Sequence, residues 1–419
     1  PLVSQSIISS NIATCKHYGY AITGIRCREA ILESEDGFYS TTSISRDKLI
    51  RTQTPQTFRL EDIINAHEKA KEKCIVNFVS SCTLLAAANL QIRVAEMITY
   101  YDDIRKVREL ELPWETLNEA NILITGASGL IGRALVDALM QLPDKTFHLY
   151  AGARDWDYAR NCFLQYKDTD SFTLIQCDVT MPISSDIDFH YIIHAASYAG
   201  PDAFQSDPVG VMKANIWGVD HLFSYGRQHH LRKFLYVSSG EVYGEGNGIP
   251  FREEDSGCLN WTSLRACYPT AKRTAETLCI SYASQCQIET LIIRPCHIYG
   301  PFFTPKDDRV YAQLIRNAVA DEDILLKSTG LRQRSWCYVV DCVFALLYVL
   351  LKGETGNAYN IADVRSNTSI CEFAEMVALK SGRKVVFDIP DNAVSNPPDI
   401  SKTILSTDKI NEIGWFLLW

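Results

Sequence analysis

Two side chains with complementary chemistry lie four residues apart in the stretch Arg265-Ala-Cys-Tyr-Pro-Thr-Ala-Lys272. Pro269 can open a helix, and residues four apart on a helix share one face, so Tyr268 and Lys272 are expected to lie together. A free tyrosine has a pKa of about 10, which a neighbouring ammonium group lowers, so the pair predicts a phenolate base. Such a base would take a proton from a substrate hydroxyl. Ser239, at the end of an earlier apolar strand, is expected to orient that hydroxyl.

A strand, a glycine turn and a helix follow one another from Asn121-Ile-Leu-Ile-Thr-Gly-Ala-Ser-Gly-Leu-Ile-Gly132 onwards. The apolar run at 122–124 predicts a buried strand, and the residues after the turn predict an amphipathic helix. Gly126 permits a tight turn, Gly129 lets backbone N–H groups approach a pyrophosphate, and Gly132 lets the helix pack closely on the strand. The positive end of the helix adds an attraction for phosphates. The sequence therefore predicts a dinucleotide site.

Further strands alternate with helices after this turn, among them residues 147–154 and 190–194. This alternation predicts an α/β fold with a Rossmann-type doubly wound parallel sheet and helices on both faces. Arg154 stands at a strand end where many such sites carry a ribose-binding acid. Because a guanidinium can accept a 2′-phosphate or stack on adenine, this position leaves NAD and NADP open. Asp178 and Val179 follow another strand and are placed to bind adenine.

These motifs together resemble the extended short-chain dehydrogenase/reductase family that acts on nucleotide sugars, over about residues 119–415. Within that family the UDP-glucuronate decarboxylase branch is the most similar. The runs that carry the resemblance are Ser239-Gly-Glu-Val-Tyr-Gly244, Arg265-Ala-Cys-Tyr268, Lys272-Arg-Thr-Ala-Glu276, Asp308-Arg-Val310, Gln333-Arg-Ser-Trp-Cys-Tyr338 and Pro398-Asp-Ile-Ser-Lys402. The resemblance implies an NAD-binding part at 119–295, a small C-terminal substrate-binding region at 296–419, a nucleoside-diphosphate sugar as substrate, and a homodimer.

The resemblance also assigns roles to individual residues. The catalytic groups would be Tyr268, Lys272, Ser239 and Glu241. The cofactor, NAD with NADP left open, would contact residues of the glycine turn, the strand ends and one helix: Gly126, Ser128, Gly129, Leu130, Ile131, Gly132, Arg154, Asp178, Val179, Ala195, Ala196, Asn215, Tyr268 and Lys272. The substrate would contact Ser239, Glu241, His297, Arg309, Arg334 and Tyr338.

Oxidation of a sugar at C4 opens three outcomes. A carboxylate on C5 is lost as CO₂, a hydroxyl on C6 is eliminated as water, or the ketone is reduced from its other face. Dehydratases of the family carry Asp-Glu where this chain has Gly240 and Glu241, so the missing acid counts against dehydration. Glu241 together with Arg334, whose guanidinium suits a carboxylate or a phosphate, favours decarboxylation. The chain departs from the decarboxylases at Gly240, where they have Ser, and at His297, where they have Asn. A 4-epimerase or 4,6-dehydratase, possibly acting on a CDP-linked sugar, stays the alternative.

The first 112 residues carry a separate resemblance. Arg51-Thr-Gln-Thr-Pro-Gln-Thr-Phe58 resembles a signature in the C-terminal half of cytidylyltransferases of the methylerythritol-phosphate and ribitol-phosphate type. That family's phosphate-binding motif is reduced here to Arg93, and no carboxylate occurs between Cys74 and Ala95. Because nucleotidyl transfer needs charges that hold Mg²⁺ and phosphates, we expect a partial, inactive nucleotidyltransferase-like segment. A linker is predicted at 113–118, and a fragment of a bifunctional cytidylyltransferase and reductase is the alternative reading.

Composition narrows the functional classes. The 419 residues are 47% hydrophobic and 22% charged, as is usual for globular proteins, and a net charge of −9 argues against nucleic-acid binding. The apolar run at 343–351 is shorter than the roughly 18 residues of a membrane span and predicts a buried helix. Fourteen singly scattered cysteines predict reduced thiols in a cytoplasmic protein without a metal site. The chain starts at Pro1 and stops just after an apolar run, so we expect both ends to be cut.

Overall fold

The computed structural model describes ten stretches of the chain, namely residues 20–26, 31–33, 42–44, 50–58, 64–69, 93–96, 100–143, 145–304, 307–389 and 402–417. The chain forms two compact units, Pro1–Thr99 and Tyr100–Trp419. The second unit contains every residue for which a catalytic, cofactor or substrate role is predicted.

The first unit contains a three-stranded sheet in the order β4–β1–β5, in which β1 is antiparallel to β4 and parallel to β5. Strands β2 and β3 form a separate antiparallel pair, and residues 64–69 are helical. The strands are β1 (Tyr20–Arg26), β2 (Ile31–Glu33), β3 (Thr42–Ile44), β4 (Ile50–Phe58) and β5 (Arg93–Glu96). The signature at residues 51–58 lies in β4, whereas residues 74–92 lie outside the described part. The nucleotidyltransferase-like assignment stays a prediction.

The boundary between the units lies at Thr99 and not at residue 112, where the sequence analysis placed it. Ile104, Val107 and Leu112 are buried in the same apolar core as the strands of the second unit. The predicted linker at 113–118 is a short 3₁₀ helix with its Leu117 buried in that core. Pro113 therefore marks a turn within the second unit, because the apolar residues on both sides of it are needed to cover one core.

A seven-stranded sheet organises the second unit. Its order is β15–β11–β10–β9–β6–β7–β8, and every neighbouring pair of strands is parallel. This arrangement confirms the predicted Rossmann-type sheet. The strands are β6 (Asn121–Thr125), β7 (His148–Ala153), β8 (Phe172–Gln176), β9 (Tyr191–His194), β10 (Lys233–Val237), β11 (Glu289–Pro295) and β15 (Ala358–Ile361).

The helices flank this sheet and connect its strands. They are α1 (Tyr100–Arg105), α2 (Leu130–Gln141), α3 (Trp156–Cys162), α4 (Pro201–Ser206), α5 (Pro208–Gly226), α6 (Cys267–Cys286), α7 (Val310–Val319), α8 (Val339–Lys352), α9 (Ile370–Ser381) and α10 (Asp408–Glu412). Helix α8 has almost all of its residues buried, which confirms the helix predicted from the run at 343–351. Within the described residues, no helix is long and apolar enough to cross a membrane.

Two small sheets complete the C-terminal part. Strands β12, β14 and β16 lie side by side, with β18 added to β14, and β13 pairs with β17. Their bounds are β12 (His297–Tyr299), β13 (Ile324–Leu326), β14 (Gln333–Tyr338), β16 (Asp363–Ser369), β17 (Val385–Phe387) and β18 (Lys402–Thr403). Strand β12 follows β11 directly, so this small sheet places His297 and Arg334 next to the carboxyl end of the large one.

Candidate active site

The glycine turn joins β6 to α2 at the point where the strand order reverses, with β7 on one side of β6 and β9 on the other. Gly126 has a φ of +69°, and a Cβ added there would lie 2.6 Å from the Cα of Ala196. A Cβ on Gly132 would lie 2.3 Å from the carbonyl oxygen of Gly126. Gly129 precedes α2 and has no side chain to cap the first N–H groups of the helix. The turn is thus open for the pyrophosphate of a dinucleotide.

The strand ends beside this turn carry the residues predicted to bind adenosine. The guanidinium of Arg154, after β7, lies 4.7 Å from the ring centroid of Tyr198. Asp155 accepts a hydrogen bond from the backbone of Tyr158 and so caps α3 instead of offering an acid to a ribose. Asp178 uses one carboxylate oxygen to accept two hydrogen bonds from Thr180. Among the described residues at the end of β7, Arg154 is therefore the charged side chain that does not cap a helix.

Helix α6 brings together the three groups that could move a proton. Tyr268 and Lys272 lie one turn apart on α6 and are both buried. The Nζ atom of Lys272 lies 5.7 Å from the ring centroid of Tyr268 and donates a hydrogen bond to the carbonyl oxygen of Val237, 2.7 Å away. The side chain of Ser239, two residues after β10, is hydrogen-bonded to Tyr268. The structure thus brings together the three residues that the sequence analysis grouped.

Burial controls the protonation of this pair. It raises the pKa of Tyr268 to about 12, against the lowering effect of the Ser239 hydrogen bond. It lowers the pKa of Lys272 to about 7, against the opposing charge of Glu276. Both shifts disfavour a phenolate beside an ammonium group. Tyr268 therefore needs further positive charge next to it before it can act as a base at neutral pH.

A cleft of about 800 Å³ opens beside this pair, between the end of the large sheet and the small C-terminal sheets. Five of the residues predicted to contact a substrate line it: Ser239, Glu241, His297, Arg309 and Arg334. Ile131 and Ala195, from the predicted cofactor set, also line the cleft. The dinucleotide turn and the Tyr268–Lys272 pair therefore open onto one cavity.

Glu241 is held by Arg265, a residue to which the sequence analysis gave no separate role. Their Oε2 and Nη2 atoms lie 2.6 Å apart, and both side chains line the cleft. The guanidinium of Arg265 lies 4.5 Å from the ring centroid of Phe204, and that ring stacks on Tyr268 at 4.9 Å. The spacing of Arg265, three residues before Tyr268, was the signal that could have placed it at the site. Phe204 gave no signal, because it comes from α4, far away in the sequence.

The two arginines predicted to bind substrate differ in how they are paired. Arg309 forms an ion pair with Asp307 and a 2.8 Å hydrogen bond to the hydroxyl of Tyr311. Arg334 is buried and donates a 2.9 Å hydrogen bond to the backbone oxygen of Gln333, and it forms no ion pair with a carboxylate of the described residues. Burial, together with the nearby Arg332, lowers the pKa of Arg334 to about 10, which still leaves a cation at neutral pH.

His297 faces the cleft from the start of β12. Its ring lies 5.3 Å from that of Trp336, measured between centroids. Burial lowers the pKa of His297 to about 4; Glu241 opposes this shift, and Arg334 and other arginines add to it. A neutral imidazole, able to donate or accept a hydrogen bond, therefore occupies the cleft wall.

Two residues with predicted contacts, Tyr338 for the substrate and Asn215 for the cofactor, lie outside the cleft lining, and their roles stay predictions. Tyr338 does not line the cleft, because it ends β14 on the side of α1 and donates a 3.1 Å hydrogen bond to Asp103. Asn215 is fully buried in α5, where its side-chain oxygen accepts hydrogen bonds from Ser197 and Tyr236 and its amide donates to the backbone of Val211. Asn215 therefore fixes α5 against the sheet and does not line the cleft.

Comparison with known proteins places this geometry in a family. The profile of the NAD dependent epimerase/dehydratase family matches residues 122–362, more than half of the chain. The chain belongs to the NAD-dependent epimerase/dehydratase family. The matched residues run from the strand before the glycine turn to the last strand of the large sheet, so they include Ser239, Tyr268 and Lys272.

Relatives found by sequence comparison agree with that assignment. The chain is 33% identical to UDP-glucuronic acid decarboxylase 6 of Arabidopsis thaliana over 285 residues, 67% of this chain and 81% of the relative. It is 30% identical to UDP-glucuronic acid decarboxylase 1 of Danio rerio over 327 residues, 74% of each chain.

Two solved structures share the fold. The dTDP-glucose 4,6-dehydratase of Bacillus anthracis in complex with NAD has a TM-score of 0.61 and 21% identity, over 72% of this chain and 92% of that one. The UDP-glucuronic acid 4-epimerase of Bacillus cereus in complex with UDP-glucuronic acid and NAD has a TM-score of 0.60 and 23% identity, over 70% and 92%.

Proposed function

We propose that this protein is an NAD-dependent nucleotide-sugar decarboxylase that converts UDP-glucuronate into the corresponding xylose derivative through a 4-keto intermediate. The observation that carries the proposal is the environment of Arg334. A buried cation without a described carboxylate partner lines the same cleft as Tyr268 and Lys272. A sugar carboxylate is the group that would pair with it. The decarboxylases among the relatives of this chain point to the same reaction.

The residues of the turn fit NAD, because Gly126 and Gly132 leave no room for a side chain and the first N–H groups of α2 are uncapped. When bound, NAD⁺ supplies the hydride acceptor and the positive charge that Tyr268 needs beside it. NADP is the alternative cofactor, because the guanidinium of Arg154 at the end of β7 could accept a 2′-phosphate.

The side chains of the cleft then have separate roles in proton transfer. Tyr268 removes the proton of the 4-hydroxyl as the hydride leaves C4, while Lys272 stabilises the phenolate and Ser239 orients the hydroxyl. The resulting 4-ketone makes the sugar a β-keto acid, whose C5–carboxylate bond breaks to release CO₂ and leave an enolate. C5 then takes up a proton from water, a transfer that we assign to Glu241 as the assisting group. When the ketone at C4 is reduced again, Tyr268 gives its proton back to the C4 oxygen.

Dehydration fits the cleft less well than decarboxylation does. A Cβ added to Gly240, where the related dehydratases have Asp, would lie 3.1 Å from the side chain of Leu405. The wall is apolar at this point and offers no acid to expel a hydroxide. Epimerisation at C4 stays the alternative, since it uses the same oxidation by Tyr268.

We also propose a cytoplasmic homodimer. Helices α5 and α6 pack on each other and leave Val209, Trp217 and Ile280 exposed, a surface that a second copy could cover. All cysteines in the described part are free thiols, as expected for a reducing compartment. Sedimentation of the protein gives the oligomeric state directly.

Mass spectrometry of products tests the reaction class. The protein is incubated with NAD⁺ and a panel of UDP- and CDP-linked hexoses and hexuronates. The proposal predicts loss of CO₂ from the glucuronate and no change in the neutral sugars. A 4-epimer or a 4-keto-6-deoxy product as the main outcome would contradict it.

A further inference from the structure

Three side chains of α6, spaced one turn apart, contact three consecutive residues at the end of β10. The hydroxyl of Tyr268 is hydrogen-bonded to Ser239, and Lys272 donates to the backbone oxygen of Val237. The third side chain is Glu276, whose Oε1 accepts a 2.5 Å hydrogen bond from the hydroxyl of Ser238. Glu276 lies outside the set of residues to which a role is assigned above.

An arginine from the neighbouring strand fixes the carboxylate of Glu276. The Nε and Nη2 atoms of Arg294 lie 3.0 and 2.7 Å from its two oxygens, a bidentate pair. Burial opposes the charge on Arg294, but its bonds to Glu276 raise its pKa above the usual value. Arg294 also donates 2.7 Å hydrogen bonds to the hydroxyl of Tyr243 and to the backbone oxygen of Glu253. The orientation of Glu276 is therefore set from two elements, β10 and β11.

The ammonium group of Lys272 has few charged neighbours. His194 faces it from β9, with burial and Lys272 itself lowering the pKa of that imidazole to about 3. Tyr236 faces it from β10, with its ring centroid 4.7 Å from Nζ, and Cys279 faces it from α6. Burial raises the pKa of both Tyr236 and Cys279 well above their usual values, so neither carries charge at neutral pH. Among the described residues, this leaves Glu276 as the source of negative charge.

We infer that Glu276 is a positioning residue of the active site: its carboxylate, anchored by Arg294, fixes Ser238 after β10 and favours the charged form of Lys272, one turn away on α6, beside Tyr268. The inference rests on the proposed role of the Tyr268–Lys272 pair. Without the carboxylate, burial would act on the ammonium group unopposed, so a smaller fraction of Lys272 would be charged at pH 7 than in the wild type. A neutral Lys272 no longer stabilises a phenolate, so a smaller fraction of Tyr268 would be deprotonated at neutral pH.

Nuclear magnetic resonance of the full chain labelled with [ε-¹³C]lysine tests this without any turnover. The ε-carbon signal of Lys272 is assigned by its absence in Lys272→Met, and its shift is followed against pH. The midpoint is expected at a pH of about 7 in the wild type. Since a close opposite charge shifts a pKa by about 1–3 units, Glu276→Gln is expected to lower the midpoint by about 1 unit or more.

Two matched variants separate the charge from the hydrogen bond. Glu276→Asp keeps the charge and Ser238→Ala removes only the hydroxyl, so both are expected to stay within roughly 0.5 unit of the wild-type midpoint. If Glu276→Gln does not fold, Arg294→Gln gives the opposite test, since an un-neutralised Glu276 should raise the midpoint. An unchanged midpoint in the charge variant that folds would overturn the inference.

A pH profile of the single-turnover rate of nicotinamide reduction links the titration to catalysis. Glu276→Gln is expected to move the acid limb to higher pH and to lower the rate at pH 7 about tenfold, a loss within the range for weakened general base catalysis. Glu276→Asp should restore most of the rate. A wild-type protein that reduces no cofactor with any nucleotide sugar would contradict the proposed function, whereas the Lys272 titration would still decide the role of Glu276.

Discussion

Arg265 and Glu241 form a 2.6 Å ion pair on the wall of the cleft that Tyr268 also lines. Both side chains are partly exposed, so the pair contributes about 0.2–1 kcal/mol at most to folding. Its importance lies in where it keeps the Glu241 carboxylate. With Arg265 in place, the Glu241 carboxylate is already paired, whereas Arg334 has no ion pair to a carboxylate of the described residues.

Arg265→Gln is therefore expected to weaken substrate binding more than folding. The released Glu241 would compete with a substrate carboxylate for Arg334, so KM for the glucuronate should rise several-fold, corresponding to about 1 kcal/mol. Steady-state kinetics measure the change. Arg160→Gln, which removes an equal charge from an exposed site on α3, is the control and should leave KM unchanged. The double variant with Glu241→Gln should recover KM but not the rate; an unaltered KM in Arg265→Gln would refute this role.

Tyr268→Phe keeps the ring that stacks on Phe204 and removes the proton acceptor. Turnover should fall about 10²–10⁴-fold, the usual contribution of general base catalysis. Binding of NAD⁺, followed by isothermal titration calorimetry, should change little because the glycine turn is untouched. A variant that keeps more than about a tenth of the wild-type rate would rule Tyr268 out as the base.

Lys272 makes the stability of the free protein depend on pH. Burial lowers its pKa from 10.5 to about 7, with Glu276 opposing the shift. Between these two pH values the unfolded chain binds the proton and the folded protein does not. The contribution of Lys272 to the free energy of unfolding therefore increases as pH rises from 7 to 10.5. Below pH 7 that gain is absent. Urea titrations at pH 7 and pH 9 measure it, and Lys272→Met should show a smaller increase than the wild type. An equal increase in both proteins would show that Lys272 is not responsible.

Arg334→Ala should separate recognition of the sugar carboxylate from recognition of the diphosphate. If a glucuronate carboxylate pairs with Arg334, its loss should reduce kcat/KM for the glucuronate by a factor that corresponds to about 2–5 kcal/mol. A neutral hexose linked to the same nucleotide serves as a competitive inhibitor, and its affinity should differ far less between Arg334→Ala and the wild type. Equal losses for both compounds would mean that Arg334 serves the phosphates.

The sequence was sufficient for the parts of the structure that depend on local patterns. The glycine turn, the parallel sheet and the Tyr268–Lys272 face follow from spacing along the chain, and the structure confirms their arrangement. Pairings between distant segments carried no such signal. Phe204 reaches Tyr268 from a separate helix, and Tyr338 turns to Asp103 although its motif suggested a substrate contact.

The boundary between the two units was misplaced for a related reason. A proline at position 113 marks a break in a helix, but only the burial of Ile104, Val107 and Leu112 shows that the preceding residues belong to the larger core. Composition alone does not reveal which of two cores an apolar residue will join.

Release of CO₂ from UDP-glucuronate labelled at the carboxyl carbon tests the central proposal most directly. The full chain, supplied with NAD⁺, should release the label and form UDP-xylose in equal amounts, and Tyr268→Phe should release almost none. Retention of the label in a UDP-linked hexuronate, with or without inversion at C4, would contradict decarboxylation and favour the epimerase.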